Sequence, residues 1–351
     1  MLRTKVLQRQ VRRRQVRLGV IGCGYWGPNL ARNFNELPDS VVSYLCDVDP
    51  RRLEHLCNLY PLAGLTTDYR DVLQDPEVDA VVVATPVRTH YPLAREALLA
   101  GKHVLVEKPI ATSAPEAREL CALARERGLV LMVGHVFKYN AAVEGLRDLI
   151  ARGDIGRVYY AYSTRVNLGL YQKDVNVMWD LAPHDISILM FLLGERPAGV
   201  SARGSFYVKE GIHDVVYLTL DFPGHVLAHL HVSWLDPCKV RRLTVVGSEK
   251  MVVYDDLEPL EKLKVYDKSV GTVPYTESFG DFQFSYRYGP IHIPHINFTE
   301  PLKVECTDFL NAILAGQPPR CDGEDGLHVV QVLEAAQASL QEGGARKEVA
   351  W

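Results

Sequence analysis

The chain has 351 residues, 47% of them hydrophobic and 23% charged, values close to the average of globular proteins. At roughly 100–200 residues per domain, this length predicts about two domains. The net charge of −4 gives no reason to expect a nucleic-acid or membrane partner. No apolar run approaches the roughly 18 residues of a membrane helix.

Positive charge is concentrated at the start of the chain, where residues 1–17 carry seven arginines and lysines and no acid. The segment lacks the apolar stretch of a secretory signal. Because basic runs are usually solvated tails, we expect residues 1–15 to form a basic, disordered arm or to reflect a start codon assigned too early. A targeting or nucleic-acid-binding arm is the alternative.

The seven cysteines argue against both a disulfide framework and a zinc site, since their number is odd and no CxxC spacing occurs. This usage predicts a protein of the reducing cytoplasm. His225, His229 and His231 lie close in sequence, but no cluster of acids or cysteines accompanies them. A metal site is therefore not predicted.

Residues 16–136 alternate continuously apolar runs with helical patterns. Uniform hydrophobicity is typical of parallel strands that are covered on both faces. In residues 115–127 the apolar positions recur at i, i+3, i+4 and i+7, which indicates one buried helical stripe. The segment is therefore predicted to be an α/β domain with a parallel sheet. Its strand-like runs are 16–21, 41–46, 80–84, 103–106 and 129–133.

Residues 137–351 follow a different pattern, with longer strands that alternate apolar and polar residues. Such alternation predicts a second α/β domain whose open, mainly antiparallel sheet has one face on helices. Residues 267–300 are rich in aromatics and prolines and are predicted to be a long functional or interfacial loop. The predicted strands are 157–166, 215–220, 226–234 and 240–246, and the predicted helices are 141–151, 183–193, 301–315 and 324–341.

The first strand is followed by the turn GCGYWG, a GxGxxG that also opens a helix. In this context the glycines permit a tight turn and close approach to a pyrophosphate, whose charge the helix N-terminus stabilises. The turn predicts a Rossmann-type dinucleotide-binding domain. Its candidate cofactor-binding residues are Gly22, Gly24, Tyr25, Trp26 and Gly27.

Asp47 ends the second strand twenty residues after Gly27, where a carboxylate accepts hydrogen bonds from the adenosine ribose. A carboxylate at this position repels a 2′-phosphate, so NAD is favoured as the cofactor over NADP. Arg51 and Arg52 lie close enough to leave NADP possible.

Two further strand ends supply candidate residues, because ligands of open parallel sheets lie beyond the carboxyl ends of the strands. Thr85 ends the third predicted strand, and His90 follows as a candidate that is more often structural than catalytic. Glu107 and Lys108 end the fourth strand just before Pro109. Lys108 could stabilise an alkoxide beside a nicotinamide, and Glu107 could orient Lys108 or contact the cofactor.

The segment from Asp180 to His184 forms a second constellation. Pro183 suits the first turn of a helix, which would place His184 at the positive helix end and favour a neutral imidazole. Asp180 could orient the ring. A helix cap with an incidental histidine is the alternative.

The GCGYWG turn, ATPVRTHY, LVEKP and the D-x-x-x-H of Asp180 to His184 resemble the Gfo/Idh/MocA oxidoreductase family from Val16 onward. The resemblance implies a Rossmann domain followed by a domain whose open sheet forms homodimers or homotetramers. It implies NAD(P)-dependent chemistry at a sugar or polyol carbon, with Lys108 and His184 catalytic and Asp180 orienting.

The runs GHVFKYN, 163–188 and VGSEKMVVYDD are similar to members that act on nucleotide-activated sugars, such as UDP-N-acetylglucosamine 3-dehydrogenases. The resemblance makes Arg165 and Asn167 candidate hydrogen-bond partners of the substrate, and Tyr139 and Trp179 candidate apolar walls. A free-polyol dehydrogenase and a non-catalytic NAD(P)-sensing regulator on the same fold remain alternatives.

Overall fold

A computed structural model of the chain describes residues 14–169, 171–172, 175–272 and 284–351. Most of the predicted basic arm lies outside this range. The side chain of Arg14 pairs with Asp79, and that of Gln15 donates to the carbonyl of Pro38.

The N-terminal sheet has six parallel strands in the order β3-β2-β1-β4-β5-β6. The chain therefore runs outward from β1 to one edge and then from β4 to the other. That reversal leaves a crevice at the carboxyl ends of β1 and β4. The strands are β1 Val16–Ile21, β2 Ser40–Cys46, β3 Gly64–Thr66, β4 Ala80–Val83, β5 His103–Glu107 and β6 Leu131–Gly134; the helices between them are α1 Gly27–Glu36, α2 Arg51–Glu54, α3 Tyr69–Gln74, α4 His90–Leu99 and α5 Ala114–Arg127.

The second sheet has nine strands in the order β14-β13-β12-β11-β7-β10-β9-β8-β15. Its neighbours pair antiparallel except for β7 and β10, which are parallel. The strands are β7 Val158–Val166, β8 Gly199–Ser205, β9 Val215–Phe222, β10 Val226–Ser233, β11 Val240–Gly247, β12 Met251–Asp255, β13 Leu263–Thr272, β14 Phe284–His292 and β15 Lys347–Glu348; the helices are α6 Ala141–Ala151, α7 Val177–Leu193, α8 Pro301–Ala315 and α9 Gly323–Gln341.

This architecture confirms the predicted Rossmann domain followed by an open, mainly antiparallel sheet. The expected strands of both sheets are present, and each end lies within two residues of its predicted position. The alternation of apolar and polar residues in the second sheet also has the expected cause. One face packs on helices α6, α7 and α9, and the other carries exposed tyrosines.

Two predicted elements are wrong. The helix expected to begin at Pro183 begins at Val177, so Pro183 lies in its interior. Asn176 caps the helix by accepting from the backbone N–H of Trp179, and Val177, Met178 and Ala182 are buried in the core, which stabilises the turns before the proline. The loop expected over 267–300 contains most of β13 and all of β14, because aromatic and β-branched residues there pair along a sheet edge.

Helix α9 joins the two domains through opposite faces. Leu327 and Val330 pack in the core under α5 and β6, whereas Val329, Val332 and Leu333 pack under the second sheet. A single helix therefore contributes to both hydrophobic cores, which fixes how the second domain faces the carboxyl edge of the first. Among the described residues no helix is long and apolar enough to cross a membrane.

Candidate active site

The glycine turn after β1 has the shape that a dinucleotide pyrophosphate requires. Gly22 has a φ of +96°, and a Cβ atom there would lie 2.6 Å from the carbonyl oxygen of Ala84. A Cβ at Gly27 would collide with the carbonyl of Gly22. Helix α1 begins at Gly27 without a side-chain cap; Pro28 has no N–H, so Gly27 and Asn29 supply the N–H groups that remain available in its first turn. The turn thus fits the anionic group that the motif predicts.

Asp47 is buried at the end of β2 and is tied to this turn. Its Oδ2 accepts from the backbone N–H of Cys23 at 2.8 Å, and its Oδ1 accepts from that of Asp49 at 2.9 Å. Arg52 approaches the same carboxylate at 3.3 Å and lies over Gly24, whereas Arg51 is bound to Asp49. Of the two arginines, only Arg52 is therefore placed near the predicted ribose site.

A cavity of about 540 Å³ extends from the glycine turn to the second domain. It brings together the side chains predicted at the ends of β1, β4 and β5 and at the start of α7. Predicted residues in its lining are Tyr25, Trp26, Thr85, His90, Glu107, Lys108, Trp179 and Asp180.

His90 connects two of these strand ends. Its Nδ1 lies 2.7 Å from the carbonyl oxygen of Pro109, and its Nε2 lies 2.7 Å from that of Thr85. Burial and the Lys108 ammonium lower the pKa of this histidine, while the two carbonyls oppose the shift. A neutral imidazole carries one N–H, so His90 donates to one of the two carbonyls and lies between the loops that carry Thr85 and Lys108.

Lys108 crosses from β5 to the second domain. Its ammonium donates to the backbone carbonyl of Asp180 at 2.8 Å and lies 3.5 Å from the carboxylate oxygen Oδ1. The Oδ2 of Asp180 accepts from Nε1 of Trp234 at 3.0 Å. Asp180, predicted to orient His184, instead holds Lys108, and Trp234 holds Asp180.

His184 packs the edge of its ring against Phe137, with ring centroids 4.9 Å apart. Burial, followed by the charges of Lys108 and Arg165, lowers its pKa well below the usual value. The predicted neutral imidazole is therefore present, but its cause is burial and cationic neighbours rather than a helix N-terminus. Its Nδ1 has no partner among the described residues, so the ring is not oriented by a carboxylate.

Three of the four predicted substrate contacts lie outside the lining of this cavity. Tyr139 is buried, and its hydroxyl donates to Asp308 in the core beside α8. Arg165 is buried in a two-bond pair with Asp185, at 2.7 and 3.1 Å. Asn167 follows β7 and donates its backbone N–H to Ser233. The sequence predicts Tyr139 as an apolar wall and Arg165 as a hydrogen-bond partner of the substrate, because a pattern shows polarity but not the partner that allows burial.

The structure adds lining residues that the sequence did not single out. Tyr171, Gln172 and Val175 border the cavity from the segment that precedes α7. Tyr171 packs on Trp234, with centroids 4.7 Å apart, and its hydroxyl donates to Asp214. The only signal in the sequence was that this aromatic lies within the run 163–188.

The histidines considered for a metal lie on the second sheet, where Tyr217 stacks on His229 and His231. Among the described residues, no group of three or more histidines, cysteines and acids is placed to hold a metal ion.

Comparison with known proteins identifies the family. Residues 16–135 match the oxidoreductase family with an NAD-binding Rossmann fold, and residues 143–253 match the GFO/IDH/MocA C-terminal domain. The chain belongs to the Gfo/Idh/MocA oxidoreductase family. NAD is therefore the cofactor that the glycine turn serves, and the chain is an NAD(P)-dependent oxidoreductase.

Relatives within the Gfo/Idh/MocA family span nearly the whole chain. A UDP-N-acetylglucosamine 3-dehydrogenase of Acidithiobacillus ferrooxidans is 30% identical over 93% of this chain and 99% of its own. A myo-inositol 2-dehydrogenase of Thermotoga maritima is 25% identical over 93% and 97%.

Solved structures agree with this assignment. That of a UDP-N-acetylglucosamine 3-dehydrogenase from Acidithiobacillus ferrooxidans superposes with a TM-score of 0.79 at 26% identity, covering 93% of this chain and 98% of its own. GenD2 from gentamicin A biosynthesis, in complex with NAD, superposes with a TM-score of 0.81 at 25% identity, covering 96% and 97%.

The positions of Asp47 and Arg52 predict how cofactor preference will respond to substitution. Asp47→Ala removes the charge that repels a 2′-phosphate, so use of NADP relative to NAD should rise by at least about tenfold, the effect of one charge-assisted contact. Arg52→Ala should lower the same ratio. Arg51→Ala is the matched control, because Asp49 already binds Arg51. The ratio of kcat/KM values measures each effect, and an unchanged ratio in Asp47→Ala contradicts the assignment.

Proposed function

We propose that this NAD-dependent sugar or polyol oxidoreductase acts on a secondary alcohol or ketone of a nucleotide-activated sugar, at C3. The observation that carries the proposal of catalysis is the Lys108 ammonium, which lines the cavity and is fixed by Asp180; burial and this ammonium lower the pKa of His184. The UDP-N-acetylglucosamine relative, at 30% identity over 93% of the chain, supports the substrate class.

The two side chains divide the chemistry of a CH–OH group between them. When bound, NAD supplies the acceptor for the hydride that leaves the carbon. His184, neutral because of burial and nearby cations, accepts the hydroxyl proton. Lys108 stabilises the negative charge that develops on the oxygen. In the reductive direction the same pair returns the proton, and the proton assignment belongs to both groups.

Trp179 and Tyr171 would form walls of the substrate site, since both border the cavity on the side of the second domain. Apolar faces exclude water from the reacting carbon, which strengthens the interaction between Lys108 and a developing alkoxide. The glycine turn and Asp47 would hold the cofactor at the opposite end of the cavity.

A free polyol is the second candidate substrate, because the myo-inositol 2-dehydrogenase relative covers the chain as fully as the nucleotide-sugar relative does. A non-catalytic sensor of NAD(P) on the same fold is the third candidate. It has no need of the Lys108–Asp180 contact, so turnover distinguishes it from an enzyme.

Purified protein mixed with NAD and a panel of UDP- and dTDP-sugars should produce reduced nicotinamide with at least one UDP-N-acetylhexosamine. The measurement is the rise in nicotinamide absorbance, with the product's position assigned by mass spectrometry after borodeuteride trapping. Inositols and free sugars complete the panel. Turnover only with inositols would select the second candidate, and NAD binding without any turnover would select the third.

Lys108→Ala and His184→Ala should each lower kcat by about 10²–10⁴-fold, the range of a positioned proton-transfer group. Their controls are Lys303→Ala and His55→Ala, which remove a partly exposed lysine and an exposed histidine away from the cavity. If both Lys108→Ala and His184→Ala keep rates within a few-fold of the wild-type rate, the roles given to Lys108 and His184 are refuted.

The exposed face of the second sheet supports a homodimer or homotetramer. It displays a band of partly exposed apolar and aromatic side chains on strands β7, β9, β10, β13 and β14. These are Tyr160, Tyr162, Tyr217, Leu227, Val270, Tyr286 and Tyr288. Exposed apolar side chains gathered on one face of a sheet are typical of an interface.

Tyr162→Glu should therefore shift the native mass toward the monomer, because it places a charge within the band. Native mass spectrometry and light scattering at equal concentrations measure the change. Tyr207→Glu is the control, since Tyr207 is 74% exposed and lies outside these strands. If the wild-type protein is a monomer, the proposed assembly is contradicted.

The cysteines support a reducing compartment, the cytoplasm. All seven are free thiols in the structure, and five of them are buried. Burial raises the pKa of several of these thiols, which keeps them protonated and unreactive.

A further inference from the structure

Among the described strands of the second sheet, only the neighbours β7 and β10 run parallel to each other. Their carboxyl ends therefore lie at the same edge, where Val166 pairs with Ser233. The chain that leaves β10 begins with Trp234, and the chain that leaves β7 contains Tyr171. A backbone bond joins the two segments, since the N–H of Gly169 donates to the carbonyl of Trp234 at 3.2 Å. The register of the sheet thus brings Trp234 and Tyr171 together.

The backbone and the ring of Trp234 are both engaged at this edge, and the residue is buried. Its backbone N–H donates to the carbonyl of Asp214 at 3.0 Å, and its ring packs on that of Tyr171 with centroids 4.7 Å apart. The hydroxyl of Tyr171 donates to Oδ2 of Asp214 at 3.1 Å. The same oxygen accepts from the backbone N–H groups of Tyr207 and Val208 at 2.8 and 3.0 Å. Tyr171 is therefore held between an aromatic ring and an anchored carboxylate.

The indole N–H is the remaining polar group of Trp234, and a buried indole N–H requires an acceptor. Its acceptor is Oδ2 of Asp180, at 3.0 Å. The other carboxylate oxygen of Asp180, Oδ1, lies 3.5 Å from the ammonium of Lys108. The second domain therefore fixes one oxygen of this carboxylate, and the other oxygen faces the ammonium that arrives from the first domain.

The described lining of the cavity includes Tyr171, Asp180 and Lys108 but not Trp234, which lies behind them. We propose that Trp234 is a positioning residue for the reaction proposed above, on which this inference rests. Its N–H sets the rotation of the Asp180 carboxylate, which holds Lys108. Its ring supports Tyr171 as a wall of the substrate site. One buried side chain is thus the common support of the ammonium and of the wall.

The N–H and the ring of Trp234 can be separated by substitution. A tryptophan that only filled the core would contribute its volume but not its N–H. Phenylalanine keeps an aromatic ring against Tyr171 but leaves Oδ2 of Asp180 without its indole donor. The carboxylate is then free to rotate, and a small displacement of the group that meets a developing alkoxide lowers the rate. Trp234→Phe therefore distinguishes positioning from packing.

The indole N–H signals in an NMR spectrum test the contact without substrate or turnover, so their outcome is separate from that of the proposed function. The full chain has four tryptophans, and the signal that disappears in Trp234→Phe belongs to Trp234. In Asp180→Ala this signal should shift toward the position of a free indole. In Lys108→Met it should also shift, because Asp180 loses its cation. Lys303→Met, at a partly exposed lysine, should leave it in place. A Trp234 signal that is unchanged in Asp180→Ala or in Lys108→Met overturns the proposal.

Steady-state kinetics provide the second readout. Trp234→Phe should lower kcat about tenfold, the effect of one hydrogen bond to a charged group, while KM for the sugar stays close to the wild-type value. Trp234→Leu removes the ring as well, so KM should also rise. Trp351→Phe is the matched control, since Trp351 is 43% exposed at the end of the chain, and both constants should be retained. A wild-type kcat in Trp234→Phe overturns the proposal.

A double variant tests the route by which Trp234 acts. Side chains that act through one another have non-additive effects, so Trp234→Phe should cause no further loss of kcat in a protein that already carries Asp180→Ala. Losses that multiply would show that Trp234 affects the rate independently of Asp180, which overturns the proposal. Should Trp234→Leu fail to fold, Trp234→Phe and the indole spectrum still decide the question.

Discussion

The contact between Lys108 and Asp180 is the constraint on which the arrangement of the site depends. An ammonium only 12% exposed must be compensated, and the compensation comes from the other domain. The carbonyl that receives it belongs to the first turn of α7, just before Pro183. Because proline has no N–H, the carbonyl of Trp179, four residues before it, loses its helical donor; this carbonyl is the neighbour of the one that accepts from Lys108. Pro183, at which the helix was predicted to begin, thus lies where the two domains meet.

The interdomain geometry that permits this contact is set by packing rather than by the contact itself. Helix α9 buries one face with β6 and α5 and the other with the second sheet, so the cavity is bounded by two rigid bodies. His90 then lies between the strand ends of the first domain, within hydrogen-bond distance of the carbonyls of Thr85 and Pro109. Together these contacts hold Lys108 without requiring a flexible loop.

Burial governs the protonation of the groups around the cavity. Desolvation and cationic neighbours lower the pKa of His184, which keeps the ring neutral and able to accept a proton. Desolvation raises the pKa of Glu107, which favours its neutral form. The pKa values of a histidine and a carboxylic acid are thus displaced in opposite directions, and the Lys108 charge acts on both groups. This is the arrangement that proton transfer near neutral pH requires. Neither pKa shift is caused by a helix dipole, although the sequence predicted that cause for His184.

Local chemistry in the sequence determined the parallel domain, the glycine turn, Asp47 and the strand-end positions of Thr85, Glu107 and Lys108. Each depends on periodicity or on backbone sterics within a few residues, and the carboxyl edge of a parallel sheet gathers such residues without further information. Only the tertiary structure decided that Asp180 holds Lys108 and that Tyr139 and Arg165 are buried. Those facts depend on which distant side chain satisfies a buried polar group, and a single sequence does not encode that pairing in any local pattern.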